Sequence, residues 1–298
     1  MSRPIPRAWR PFRWNEDGDL LSRLRNPGPL VTVELRPPPS DLGYSRGASA
    51  WIDLHHSISR LAKNGVFVFL TDDAVGAREE ENLSHLASNL GQEVPFSQLV
   101  PFLTSKHELE YCLKYAERAD ALGFKALTVL GGDKNVGLPR CFPHAYELRQ
   151  QIRQRLPKLT LGGWANPHRD TTEQVGYLAD RGLCADFYLT QVVSHHNIRQ
   201  VEAFLEEARR RGVETPGIFG VFYYRSARQE SLERLGKFFP VPAVEVTRDF
   251  EAGLSPEDIC ARTIKTLRNA GADKIYVSNL GQKNVEVRLE RILQRVGL

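Results

Sequence analysis

Short apolar segments alternate with amphipathic segments along most of the chain. Several of the apolar segments have no polar alternation and are rich in β-branched and aromatic residues, which is typical of strands buried on both faces of a sheet. In the intervening segments apolar residues recur at spacings of three and four, as in 107–124 and 197–213, which predicts helices with one buried face. The predicted strands lie at 31–35, 66–71, 97–103, 126–131, 159–164, 186–193, 217–223 and 274–280.

The repetition of strand and helix predicts the fold class. The unit recurs about every 30 residues, as it does in barrels of about 250 residues. We therefore predict an α/β fold, a single-domain (β/α)8 TIM barrel at 29–298. A doubly wound open sheet is the alternative, but its first strand usually ends in a glycine-rich turn, whereas here it continues into RPPPSD. The least regular stretch, 223–254, is predicted as the seventh helix and a loop.

Residues 1–28 precede the first predicted strand and form a predicted N-terminal arm. Several arginines alternate there with Trp9 and Trp14, and a basic segment with aromatic side chains can bind nucleic acid. The rest of the chain has no basic stripe that would extend such a surface. We therefore favour an extension whose tryptophans pack on the barrel, with nucleic-acid binding as the alternative.

Composition and charge indicate a soluble globular protein. The hydrophobic fraction is 41%, the charged fraction 26% and the net charge +4, and no apolar run reaches the ~18 residues that span a bilayer. The N-terminus lacks the uninterrupted apolar stretch of a secretory signal. The four cysteines are widely spaced, without a zinc pattern, which favours reduced thiols in a cytoplasmic protein. We expect a small-molecule ligand, and the net charge of +4 would suit one that is negatively charged. We expect no membrane association.

Glu34 is the first candidate for chemistry, because catalytic groups of these barrels lie at the C-terminal ends of strands. It interrupts the apolar strand VTVEL. Burial favours the neutral form of a carboxyl group, which raises its pKa and makes it a proton donor near neutral pH. The alternative is a structural glutamate that forms an ion pair with Arg36 or with an arginine of the arm.

Asp133 and Gln191 also follow or end predicted strands. Asp133 comes after Gly131 and Gly132, which would allow a ligand to approach the backbone closely. Its carboxylate could accept hydrogen bonds from the N–H edge of a heterocycle, and the alternative is a turn or capping aspartate. Gln191 could offer both a donor and an acceptor to a pterin, and the alternative is a buried structural amide.

Histidines near strand ends do not predict a metal site. His168, His195 and His196 have no acidic partner at a metal-binding spacing in the sequence. The remaining strand-end candidates are Thr71, Asp72, Trp164, Asn166, Phe222, Tyr223 and Tyr224.

An ordered set of motifs resembles the methylenetetrahydrofolate reductase family from about residue 30 to the end. VTVELRPPP resembles its first-strand signature, in which a glutamate precedes a proline pair. LTVLGGD resembles its fourth-strand Leu-Arg-Gly-Asp. The further matching segments are FLTDDAVGA, HAYEL, GGWANPH and CADFYLTQ.

The resemblance implies a (β/α)8 barrel that reduces 5,10-methylenetetrahydrofolate to 5-methyltetrahydrofolate, with FAD as carrier and NADH or NADPH as electron source. Glu34 would be the general acid that helps to open the five-membered ring. Asp133 would face the pterin and the flavin edge, and Gln191 would hold the folate together with Phe222 and Tyr223. The positions implied to contact FAD are Thr71, Leu130, Gly131, Gly132, Ala145, Trp164 and His168.

The chain departs from the family pattern at positions implied to contact FAD. Gly131 replaces an arginine, Trp164 replaces a tyrosine, and Ala179–Asp180 replaces an Arg-Lys pair. Losing cations, and placing a carboxylate beside a pyrophosphate, weakens phosphate binding. One alternative is therefore the same reduction without flavin, with hydride passing directly from NAD(P)H. Another is a non-catalytic folate- or flavin-binding protein, or a subunit whose partner supplies electron transfer. A homo-oligomer is also compatible.

Overall fold

The computed structural model describes residues 18–72, 82–90, 94–132 and 137–298. Eight parallel strands close into a barrel in sequential order, from β1 round to β8 and back to β1. The predicted (β/α)8 barrel is therefore confirmed. The strands are β1 (Leu30–Leu35), β2 (Val68–Leu70), β3 (Leu99–Thr104), β4 (Ala126–Leu130), β5 (Thr160–Ala165), β6 (Phe187–Val193), β7 (Gly217–Phe222) and β8 (Lys274–Ser278).

Helices pack around the outside of the barrel. They are α1 (Leu20–Arg25), α2 (Tyr44–Lys63), α3 (Asn82–Leu90), α4 (Leu109–Leu122), α5 (Ala145–Arg155), α6 (Thr171–Ala179), α7 (Ile198–Arg210), α8 (Gln229–Gly236), α9 (Ala243–Glu251), α10 (Pro256–Asn269) and α11 (Val285–Val296). The stretch predicted as one helix and a loop thus holds two short helices, α8 and α9. No helix within the described ranges is long and apolar enough to cross a membrane.

Alternation along the strands separates two apolar layers. In β1, Val31, Val33 and Leu35 pack in the layer between sheet and helices. Leu30 packs inside the barrel with side chains from the other strands, among them Phe69. Because successive side chains of a strand point to opposite faces, Glu34 shares the inner face with Leu30.

Glycines make room for large aromatic rings inside the barrel. A Cβ at Gly162 would lie 2.5 Å from the Phe187 ring, and a Cβ at Gly220 would lie 2.5 Å from the Tyr276 ring. Both rings are almost completely buried. The interior is therefore filled by pairing a glycine on one strand with an aromatic residue on its neighbour.

Helix α1 closes the N-terminal end of the barrel. Leu20 and Leu24 are buried within the interior cluster. The Lys274 ammonium donates to the carbonyl oxygen of Asn26, at 2.8 Å, and to that of Gly28. Residues 18–28 of the predicted arm thus pack against the barrel, whereas its two tryptophans lie outside the described residues.

The opposite, C-terminal end is partly covered by residues 235–241, which connect α8 to α9. Leu235, Phe239 and Val241 pack with the interior cluster, and the Phe239 ring lies 5.1 Å from the Phe222 ring at the end of β7. We call residues 235–241 the covering segment.

Candidate active site

The inward side chains at the C-terminal strand ends form what we call the mouth of the barrel. Leu130, Trp164 and Phe222 are partly buried and pack on the interior cluster. Glu34 and Ser278 are the inward residues at the ends of β1 and β8. The mouth therefore combines an apolar surface with the carboxyl group of Glu34, which suits a flat heterocycle that must receive a proton.

Glu34 accepts a hydrogen bond in the mouth and has a raised pKa. The Ser278 hydroxyl donates to Glu34 Oε1 at 2.6 Å. Burial raises the pKa of Glu34, and the hydrogen bond from Ser278 and the charge of Arg36 oppose that rise less strongly. The carboxyl group is thus biased toward the protonated form that a general acid needs. If Glu34 only formed a structural ion pair with Arg36, the charge of Arg36 would have to lower the pKa of Glu34 more than burial raises it.

A β-bulge in β6 positions Gln191. The pairing of β6 with β7 shifts register between Leu189 and Val192. The buried Tyr276 hydroxyl donates to the Thr190 carbonyl at 2.6 Å, which fixes the irregular backbone from inside the barrel. Gln191 itself is half-buried, and its Oε1 accepts from the Val192 N–H at 3.0 Å. Sequence periodicity could not show this bulge, because one extra residue leaves no compositional mark.

Arg140 occupies the space that a side chain at position 131 would need. A Cβ on Gly131 would lie between 2.7 and 3.0 Å from the Arg140 guanidinium atoms. Arg140 Nη2 donates to the Gly132 carbonyl at 2.5 Å, and Gly132 has a φ of 69°, which favours glycine. The guanidinium group of Arg140, nine residues beyond Gly131, therefore lies at the end of β4. Asp133 lies outside the described residues.

Two further positions implied to contact FAD lie after the end of β2 and at the start of α5. Thr71 is buried at the end of β2, where its N–H donates to the Leu35 carbonyl. Ala145 is the first residue of α5, and its N-cap His144 forms a capping box with Glu147. The α5 N-terminus thus already holds a carboxylate, which is unfavourable for a phosphate group.

His168 is engaged by the protein through both ring nitrogens. Nδ1 lies 2.7 Å from Gln200 Oε1, and Nε2 lies 2.9 Å from the Val192 carbonyl oxygen. The ring therefore links the loop after β5 to β6 and α7. This contact places it beside the bulge that carries Gln191, where it orients the backbone.

The Ala179–Asp180 pair lies far from the mouth in the topology. It ends α6 just before β6 begins, on the N-terminal side of the barrel. Asp180 Oδ1 accepts from the Gly182 N–H at 2.7 Å, which is an ordinary cap of a short turn. The change from the Arg-Lys pair therefore does not place a carboxylate in the mouth.

The two residues predicted to bind substrate at the end of β7 face different surroundings. Phe222 packs at the mouth, whereas Tyr223 packs in the layer between sheet and helices and donates to Glu257 at 3.0 Å. Burial, reinforced by Glu257, raises the pKa of the Tyr223 phenol above its usual range. Of this pair only Phe222 joins Glu34.

A basic cavity of about 410 Å³ lies beside the mouth, next to the loops after β7 and β8. Arg225 Nη2 donates to the Asn279 carbonyl at 3.0 Å, and burial together with the charge of Arg288 lowers the pKa of Arg225. Loops after the seventh and eighth strands form a phosphate site in many barrels. The sequence analysis missed this cavity, although Arg225 follows β7 closely. Its lining residues are Tyr223, Arg225, Pro256, Gly281, Gln282, Lys283 and Arg288.

Two of the histidines set aside in the sequence analysis acquire an acidic partner. His195 and His196 follow the end of β6 after one intervening residue, and His196 Nε2 lies 2.9 Å from Asp249 Oδ2. Burial and the neighbouring His196 lower the pKa of His195 to about 4. Asp249 comes from α9, 53 residues beyond His196, so no local spacing could predict this cluster.

No family model matches the chain, and no curated protein matches it. Among solved structures, the fold is similar to that of an uncharacterized protein from Clostridium thermocellum that binds two copies of 5-methyl-5,6,7,8-tetrahydrofolic acid. That similarity has a TM-score of 0.63 and 16% identity, and it covers 93% of this chain and 98% of the other. An F420-dependent secondary alcohol dehydrogenase, in complex with an F420–acetone adduct, has a TM-score of 0.54 and 14% identity, and the match covers 90% and 99% of the two chains. At these identities the similarity establishes the fold.

Proposed function

We propose that this protein reduces 5,10-methylenetetrahydrofolate to 5-methyltetrahydrofolate with NADH or NADPH. The observation that carries the proposal is the inward carboxyl group of Glu34, whose pKa is raised by burial at the C-terminal mouth of the barrel. The ordered motifs of the sequence support the same substrate. The neighbour that binds two 5-methyltetrahydrofolate molecules adds support, because it shares this fold.

Protonated Glu34 starts the proposed reaction. It gives its proton to N10 of the folate, and the bond between N10 and the bridging carbon breaks with its electron pair on N10. The resulting N5 iminium cation accepts hydride at the bridging carbon. The sum is one proton and one hydride added, with NAD(P)⁺ and 5-methyltetrahydrofolate as products. Ionised Glu34 also stabilises the cation while it exists.

The apolar part of the mouth would hold the reacting rings. Leu130, Trp164 and Phe222 offer a surface on which flat rings can stack. Gln191 would hydrogen-bond the pterin, and Asp133 is proposed to do so from the adjoining loop. The basic cavity around Arg225 would receive the anionic glutamate end of the folate or a phosphate of the nucleotide.

Direct hydride transfer from NAD(P)H is the route that the described residues favour over FAD. Thr71 is buried, His168 is fully engaged, and Asp180 lies at the other end of the barrel. These contacts are our reason for placing direct transfer first; FAD at the predicted positions, of which Leu130 and Trp164 line the mouth, is the second route. Arg140 at the end of β4 could bind a nucleotide phosphate instead of the missing arginine. The neighbour of similar fold binds two copies of 5-methyl-5,6,7,8-tetrahydrofolic acid, which is compatible with a barrel that accepts more than one flat ligand.

The first experiment is the visible spectrum of the purified protein before and after incubation with FAD and desalting. A colourless protein that oxidises NAD(P)H with 5,10-methylenetetrahydrofolate, and forms 5-methyltetrahydrofolate by mass spectrometry, would support direct transfer. A retained flavin band bleached by NADH or NADPH would replace that route by the FAD route. Binding of folate without turnover would favour a binding protein or a subunit that needs a partner.

Glu34→Gln tests the acid. General acid catalysis contributes about 10²–10⁴-fold, so we expect turnover to fall by that factor while 5-methyltetrahydrofolate still binds. The glutamine keeps an acceptor for Ser278, which limits structural change. Glu147→Gln is the matched control at an exposed cap. A rate unchanged by Glu34→Gln would remove Glu34 from the mechanism.

A further inference from the structure

A cluster of three potential ligands lies outside the mouth, between the end of β6 and two of the outer helices. His195 and His196 belong to the 3₁₀ turn His195–Asn197, and Asp249 belongs to α9. Their nearest nitrogen and oxygen atoms all lie within 4.8 Å of one another. The side chains of His195 and Asp249 are each only 10% exposed. The three groups therefore face one another with little access to solvent.

The contacts of Thr263 favour one tautomer of His195. The Thr263 hydroxyl donates to the Ile259 carbonyl at 3.1 Å, so its oxygen is left to accept. His195 Nδ1 lies 2.8 Å from that oxygen, which favours the tautomer with the proton on Nδ1. In the neutral ring, Nε2 then bears a lone pair and can only accept.

In this tautomer two hydrogen-bond acceptors face each other. His195 Nε2 lies 3.4 Å from Asp249 Oδ2. It is buried and has no hydrogen-bond partner among the described residues. Two lone pairs directed at each other in a buried site are unfavourable, and a buried polar atom without a partner requires an explanation. A cation between the two atoms would turn this repulsion into attraction.

We propose that His195, His196 and Asp249 bind one divalent metal ion of the zinc class. Two imidazole nitrogens and one carboxylate oxygen suit Zn²⁺, Co²⁺ or Ni²⁺, and not Mg²⁺ or Ca²⁺, which prefer oxygen ligands. Metal–ligand bonds of about 2.0–2.1 Å in a tetrahedron put neighbouring ligand atoms about 3.3 Å apart. The 3.4 Å separation from His195 already matches this edge, and the 2.9 Å separation from His196 must open slightly.

The surrounding contacts leave the required atoms available. Arg262 Nη1 donates to Asp249 Oδ1 at 3.2 Å, so Oδ2 remains for the metal ion. Thr263 holds His195 through the nitrogen that does not bind, which is the usual arrangement around metal-bound histidine. Three protein ligands leave a fourth position for water. The ion would join the end of β6 to α9, the helix that follows the covering segment.

The test uses the whole protein and metal ions alone, independently of reductase activity. Chelator-treated protein is titrated with Co²⁺, whose visible absorption reports nitrogen and oxygen coordination, and then with Zn²⁺. We expect one equivalent of Co²⁺ per chain, displaced by Zn²⁺. His196→Ala and Asp249→Asn should each weaken Co²⁺ binding at least about 10-fold. His56→Ala, at an exposed histidine of α2, should bind like the unmodified protein.

Two results of the titration would overturn the metal site, and X-ray absorption provides a third. One is no Co²⁺ spectrum above that of a Co²⁺ solution, and the other is equal affinity in the unmodified protein and in Asp249→Asn. X-ray absorption of the unmodified Zn²⁺-loaded protein guards against variants that fail to fold. It should report two imidazole ligands, and a first shell with fewer than two would contradict the site.

Discussion

Replacing Ser278 by alanine should raise the pKa of Glu34 still further. The Ser278 hydroxyl donates to Glu34 Oε1 at 2.6 Å, and this hydrogen bond opposes the rise that burial causes. The bond stabilises the ionised carboxylate more than the neutral acid. Its loss therefore extends the pH range over which Glu34 remains protonated.

The size of the effect follows from the two states of the carboxyl group. A hydrogen bond to a charged group contributes about 1.5–3 kcal/mol, and one to a neutral group about 0.5–1.5 kcal/mol. The midpoints of these ranges differ by about 1.2 kcal/mol, which is close to the value of about 1.4 kcal/mol for one pKa unit. We therefore expect the Ser278→Ala variant to titrate about one unit higher at Glu34.

The measurement is the pH dependence of kcat/KM for NAD(P)H-dependent reduction of 5,10-methylenetetrahydrofolate. If protonated Glu34 is the general acid, kcat/KM falls as pH rises above its pKa, so Ser278→Ala should move this alkaline limb upward by about one unit. Ser278→Thr keeps the hydroxyl group and is the matched control. Infrared difference spectra against Glu34→Gln follow the carboxyl band without relying on turnover. A limb that moves downward, or that moves equally in both variants, would refute the argument.

Three further changes test the interior, the basic cavity and the cost of burying Glu34. Gly220→Ala should lower the free energy of unfolding by about 1–3 kcal/mol in chemical denaturation, because its Cβ would lie 2.5 Å from the Tyr276 ring. The control Gly236→Ala should not lower it, because the space around its Cβ is open. Arg225→Ala should raise KM for polyglutamylated folate or for NADPH about 10-fold with little change in kcat, and an equal fall in kcat would contradict a binding role. Because the pKa of Glu34 is raised in the folded protein, the free energy of unfolding should fall as pH rises above about 4.5, the usual pKa of the unfolded state. The loss should be about 1.4 kcal/mol for each unit by which the folded-state pKa exceeds the unfolded-state pKa. Glu34→Gln should remove this loss. If urea unfolding gives the same difference in free energy between Glu34→Gln and the unmodified protein at pH 4 and at pH 7.5, this prediction is wrong.

The barrel could be predicted because its strands are buried on both faces. Continuous apolar runs such as the one ending at Leu130 can lie in a parallel sheet, and the repeat of strand and helix then fixes the closed order. Glu34 was visible for the same reason, since a carboxyl group interrupting such a run needs a functional or structural partner. Its partner Ser278 was not, because the two residues meet only when β1 and β8 close the barrel.

Two features that sequence could not predict depend on how the chain packs in three dimensions. Arg140 takes the space above Gly131 only because the loop after β4 turns back on its own strand. Asp249 reaches His196 because the covering segment brings α9 beside the end of β6. At Gly131 and at His196 the sequence indicated a missing charge. Tertiary packing supplies it, from Arg140 in the first case and from Asp249 in the second.

The arrangement of charge around the mouth also favours one orientation of the substrate. Phe222 pairs with Ser278 across β7 and β8, and Ser278 hydrogen-bonds Glu34 on β1, so the apolar surface, the hydroxyl and the acid form one row. The basic cavity with Arg225 adjoins the same two strands. A folate whose anionic glutamate end binds in that cavity would therefore extend its pterin along this row toward Glu34. The opposite orientation would place the anionic end over the apolar surface of the mouth, where its carboxylates would lose hydration.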